Sequence, residues 1–323
     1  MKKNVTTIAI AAILMVAGTA MSSCKKSTTT TTTPASTTDT NTNSAKDNQD
    51  AENNSNDVDQ MGSEGMDNGN INSNYRLVGG TGGMLSPMSG SVTVTPSLAN
   101  KTVSITFLNY VGLDGHLRSG TILYDYSTSL AGATNFRDSG LVINVTTPNN
   151  DYYVDSNKIQ INKTITNKGR ITNGNLTWHV TTSLSVVKVD NGGTIQWASV
   201  RDNSLLNTNA IAYPTSSVIV PASFTTYSTA INWSTAVVGI TGTASGTSAD
   251  GVSFTSNIST MLVRNFNCSP SAIHMHFHPF VAGQIDFTPA GKTTRNINFG
   301  NGTCDEIYTI SIGSWSATIT YVL

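Results

Sequence analysis

Charged side chains are scarce in this chain of 323 residues. It carries 18 Lys and Arg against 19 Asp and Glu, only 11% of the sequence, for a formal net charge of −1. A soluble domain usually has about 25%, so Thr, Ser, Asn and Gly must cover the surface instead. The missing basic surplus excludes a nucleic-acid binder, which needs a cationic stripe to displace counterions. Long apolar runs are also missing. The stretch Ile8 to Val16 is well short of the roughly 20 residues that span a bilayer as a helix.

Catalytic signatures are absent too. There is no Gly-x-Ser-x-Gly elbow for an activated serine. Gly79-Gly80-Thr81-Gly82-Gly83 is not followed by Lys-Ser/Thr, so it is no phosphate-cradling loop. From residue 75 onward Glu306 is the single glutamate. Most aspartates there read as turn formers, such as Asp114 and Asp250 before Gly. No enzyme is expected from this pattern.

What is present begins with an address. Lys2 and Lys3 precede the apolar run, and small residues then lead to Met21-Ser22-Ser23-Cys24. The size fits a signal-peptide core, and the cysteine sits where a secretory cleavage site should fall. This resembles the lipobox of bacterial lipoproteins, with Met21 in place of the more usual Leu. The resemblance implies removal of residues 1–23, acylation of Cys24 and a protein held at the membrane by lipid. By analogy with enteric lipoproteins, the lack of Asp after Cys24 points to the outer membrane, with the domain facing periplasm or cell surface.

Residues 24–74 read as a linker. Six threonines, Thr28 to Thr33, open a stretch of Thr, Ser, Asn and Asp with almost no aliphatic side chains. Such a segment buries too little apolar area to offset the entropy of ordering it. Eight acids against Lys25, Lys26 and Lys46 leave it at −5, which favours extension. The expectation is a solvated tether of about 50 residues, reaching roughly 40 Å, that could be trimmed without affecting the folded domain.

Residues 75–323 read as all-β, with roughly a dozen antiparallel strands in a large sheet or sandwich. Val103, Ile105 and Phe107 alternate with polar residues, as do Ile159, Ile161 and Ile165, the period of a half-buried strand. Asp190-Asn191-Gly192-Gly193 and Asp250-Gly251 supply the positive φ that tight hairpins need. No window keeps a 3.6-residue period.

Several pieces of this region together resemble a family of β-rich lipoproteins of Bacteroidetes-type Gram-negative bacteria. They include Asp114-Gly115-His116-Leu117-Arg118, Asp151-Tyr152-Tyr153-Val154, Gly174-Asn175-Leu176-Thr177-Trp178 and Phe299-Gly300-Asn301-Gly302-Thr303-Cys304-Asp305. The resemblance implies an extracytoplasmic lipoprotein and carries over no catalytic residue. The membrane is then the one partner it names, with an envelope protein or glycan left open.

Three constellations stand out as possible sites. His274, His276 and His278 would share one face of a strand, about 6.6 Å between neighbours. Two could grip one Zn or Cu at about 2.0–2.1 Å, although a polar, solvent-facing strand is the commoner meaning of such a tract. Trp178, Trp197, Trp233, Trp315 and the Tyr152-Tyr153 pair could stack on sugars, but Trp in a β domain usually packs half-buried. Finally, with Cys24 acylated, only Cys268 and Cys304 remain. An oxidising compartment and loop positions at strand ends predict a disulfide between them.

Overall fold

The computed structural model describes residues 39–68, 85, 88–130, 139–170, 175–207, 236–268 and 279–321. They belong to a compact unit running from Thr38 to Leu323. Fourteen strands form one antiparallel sheet, as the alternation of the sequence requires.

The first strands are β1 (Ser89–Ser97), β2 (Thr102–Val111), β3 (Leu117–Asp125) and β4 (Val142–Thr146). A two-residue strand, β5 (Tyr153–Val154), leaves the main path to pair with β3 and with β6 (Asn157–Arg170). The long central strands follow: β7 (Leu176–Val187), β8 (Thr194–Leu205), β9 (Val237–Thr247) and β10 (Ser253–Asn265). The path closes with β11 (Phe280–Pro289), β12 (Arg295–Asn301), β13 (Ile307–Ile312) and β14 (Trp315–Thr320). Apart from β5, spatial order follows chain order, so the sheet is a meander. Among the described residues no ladder joins β1 to β14.

The hairpin turns fall where the sequence places them. Asn191 (φ 58°) and Gly193 (φ 87°) carry the chain between β7 and β8, and Asp250-Gly251 turns β9 into β10. Gly120 has φ 97°, and a Cβ there would strike the backbone of Asp151. Only glycine lets the segment before β5 lie that close to β3.

Along each central strand one face is buried. In β7 the buried residues are Leu176, Trp178, Val180, Thr182, Leu184 and Val186. The other face presents Thr177, His179, Thr181, Ser183 and Ser185. This is the inverse of a transmembrane barrel, whose outer face is apolar. No helix among the described residues is long and apolar enough to cross a membrane.

Part of the segment read as a linker requires a correction, while residues 24–38 and 69–74 lie outside the described residues. Asn43–Asn68 forms a 26-residue α-helix, α1. It is packed against the inner face of the sheet rather than extended in solvent. Ala45, Asn48, Ala51, Val58 and Met61 are wholly buried. Side chains from β2, β3, β6, β8 and β10 all reach it, and Arg295 of β12 reaches Asp39 just ahead of it. Strands from near both ends of the path therefore meet one rod about 10 Å wide, and the sheet must curl around it.

Small residues on the helix allow that approach. A Cβ on Gly62 would overlap the Tyr124 ring, and one on Gly65 would overlap Ile105. Among the described helix residues Asn43, Lys46 and Asp50 are exposed, with Asn53, Asn54, Asn56, Asp57 and Asp59 half-buried. The spacing of Asn43, Lys46, Asp50, Asn53 and Asp57 marks a stripe along the side of the helix that the strands cover least.

Candidate functional site

The helix is held by ion pairs spread along its length. Arg118 of β3, with no exposed side-chain surface, is gripped from two sides. Its Nη2 lies 2.5 Å from Asp57 Oδ1 and 2.5 Å from Asp114 Oδ2, while Nε and Nη1 donate to the same carboxylates at 3.2 and 3.0 Å. Burial opposes the charge on Arg118, yet the two carboxylates outweigh it and raise its pKa well above the ordinary value. The same arginine depresses Asp114 against a burial effect of opposite sign. The Asp114-Gly115 turn and Arg118 are thus one ion-paired unit, closed by the helix.

Lys163 of β6 continues the row. It occupies the inward position between Ile161 and Ile165, fully buried, and donates to Ser55 O at 2.6 Å and Asp59 Oδ1 at 2.7 Å. Burial lowers its pKa despite Asp59. Arg201 of β8 meets Glu52 at 2.6 Å and lies 5.7 Å from the centre of the Trp197 ring. The indole N–H of Trp197 donates to Asn48 Oδ1 at 3.0 Å. Arg295 of β12 holds Asp39 at 2.6 Å, and the Nη2 of Arg264 in β10 donates to Gln60 Oε1 at 3.1 Å. Burial pulls Arg264 down to about 10, beside a void of about 50 Å³ that Trp178 also lines.

At the helix's N-terminal half the packing opens. Lys188, just past β7, pairs with Asp47 at 2.5 Å and with the more exposed Asp50 at 3.3 Å. Asp47 also accepts the Ala249 N–H at 2.8 Å. Around these groups lies a cavity of about 810 Å³. Its floor is that helix stripe, with Asn43, Lys46, Asp50 and Asn53. The β7–β8 and β9–β10 turns border one side, and Tyr308 with Thr318 to Tyr321 of the β13–β14 edge borders the other.

The residues singled out in the sequence fare differently. Cys268 and Cys304 form the expected disulfide, with Cα atoms 5.5 Å apart. It ties the end of β10 to the loop between β12 and β13. Trp178, Trp197 and Tyr152 are buried and Trp315 is half-buried, so these rings pack in or against the core, while Tyr153 is exposed without a second of these rings open beside it among the described residues. Trp233, the histidine tract His274, His276 and His278, and the anchor residue Cys24 lie outside the described residues. Among the described residues no group of three or more His, Cys, Asp or Glu is placed to hold a metal ion.

Sequence reading missed the acids of α1, taken there for a solvated spacer. The signal was an inward cation: Lys163 interrupts an apolar series, and a buried charge requires a partner. No family model, curated protein or solved structure matches the chain.

Proposed function

We propose that the protein is a lipid-anchored binding or structural module of the bacterial envelope, held at the outer membrane through Cys24 and without catalytic activity of its own. The observation that carries this reading is the lipobox-like Met21-Ser22-Ser23-Cys24 after a short apolar run. The Cys268–Cys304 disulfide agrees with an oxidising, extracytoplasmic compartment. The polar outward face of β7 suits a domain standing in water rather than in lipid. The buried Arg118, Lys163 and Arg201 of the inner face are paired with acids of the helix, which favours a rigid scaffold.

The test is Cys24→Ala in cells fed labelled palmitate. The substitution should abolish labelling and move the protein from the membrane to the soluble fraction, since stable anchoring needs more than one acyl chain. Retained label and membrane fractionation in the Ala variant would overturn the reading.

A further inference from the structure

We propose that the cavity beside α1 binds a short neutral saccharide, an inference that rests on the binding-module reading and names its ligand class. Its volume of about 810 Å³ lies within the roughly 300–1,000 Å³ of small-molecule sites. The floor supplies amides and a carboxylate, from Asn43, Gln49, Asp50 and Asn53. The amides can accept and donate side by side and the carboxylate can accept two hydrogen bonds, which matches neighbouring hydroxyls on a sugar ring.

Charge narrows the choice. Lys46 and Lys188 stand against Asp47, Asp50 and Asp250 around the cavity, and Lys188 is already shared between Asp47 and Asp50. The near balance favours neither a polyanion nor a cation. A metal is not favoured either, because the described acids do not converge on a point.

The second, independent observation is Gln49. It is 1% exposed, and its Nε2 donates to Asn53 Oδ1 at 3.0 Å. Its Oε1 accepts no hydrogen bond from any described residue. Folded proteins rarely leave a buried carbonyl oxygen in that state. Since Gln49 lines the cavity, a ligand hydroxyl is the donor its position calls for.

The full mature chain, solubilised in detergent, should be applied to a glycan array. One arm carries neutral oligosaccharides of glucose, mannose, galactose and N-acetylglucosamine, a second peptidoglycan fragments, and a third sialylated and sulfated glycans. Binding is expected in the neutral arm, and in the peptidoglycan arm only where the fragment presents the same neutral N-acetylglucosamine ring. The best ligand is then titrated by calorimetry. Asn53→Ala and Asp50→Asn should each weaken binding about tenfold or more with unchanged melting, while Thr181→Ala on the outer face of β7 leaves it intact. Silence in the neutral arm, binding to charged glycans or peptidoglycan fragments alone, or a hit that both cavity variants leave untouched would overturn the proposal. Palmitate labelling of the same preparation reports on the anchor separately, so either reading can fail without the other.

Discussion

Glu52 and Arg201 meet at 2.6 Å with side chains only 2% and 4% exposed, although 149 residues separate them in the chain. Water cannot substitute for either partner at that depth. Glu52→Gln should therefore cost about 3–5 kcal/mol, because it strands a buried guanidinium. Replacing both partners by apolar residues, Glu52→Leu with Arg201→Met, should recover much of the loss. Chemical denaturation of the two single variants and the double variant checks this; a double variant as unstable as the sum of the singles would show that the pair does not act as a unit.

Deleting residues 39–68 should abolish the cooperative melt of the β-sheet. Arg118, Lys163 and Arg295 would then face an emptied interior, and the wholly buried Val58 and Met61 would no longer fill it. Thermal unfolding followed by circular dichroism would show a broad, weak transition in the deletion protein. A sharp transition at the original temperature would mean that the helix is dispensable.

His116 and Asp155 join the start of β3 to the β5–β6 turn, with Nδ1 and Oδ2 2.5 Å apart. Burial works against the imidazolium, but the bond to Asp155 and the nearby Asp114 raise His116 above its ordinary 6.5. Burial works against the Asp155 carboxylate too, yet His116 holds it below 3.8. The raised histidine contributes stability that is complete below pH 6.5 and lost as pH climbs through its folded pKa. The depressed aspartate contributes stability that is present above pH 3.8 and lost as pH falls through its folded pKa. The pin is thus strongest between the two, which NMR titration of the His116 ring can follow. Asp155→Asn should bring the ring's midpoint down.

Reducing the Cys268–Cys304 bond should lower stability by roughly 3–4 kcal/mol by the chain-entropy model for a loop of this length. The comparison is Cys268→Ala with Cys304→Ala against the parent chain in denaturant. Intact-mass measurement after alkylation without reductant should find neither thiol modified.

The strands were legible because their chemistry is local. Val103, Ile105 and Phe107 alternate with polar neighbours, and all three are buried on the inner face. The helix was not, because its chemistry is distant. Asn48, Glu52 and Ser55 are buried and Asp59 is half-buried, so the apolar stripe that announces an amphipathic helix is replaced by polar side chains. What they satisfy lies on strands far along the chain. Charge asymmetry was the available hint: −5 in residues 25–74, against thirteen Lys and Arg and eleven Asp and Glu afterwards. The cavity was illegible for a similar reason, since Gln49, Lys188 and Tyr321 become neighbours only when the sheet curls.

The order of synthesis gives the helix a further consequence. Asp57 waits 61 residues for Arg118, Asp59 waits 104 for Lys163, and Asp39 waits 256 for Arg295. The first element made is among the last to be fully satisfied. Contacts of such long range close slowly, so folding should lag until most of the meander has been made. Until then the inner faces of the central strands stand open, and during that interval the chain is most exposed to aggregation and proteolysis.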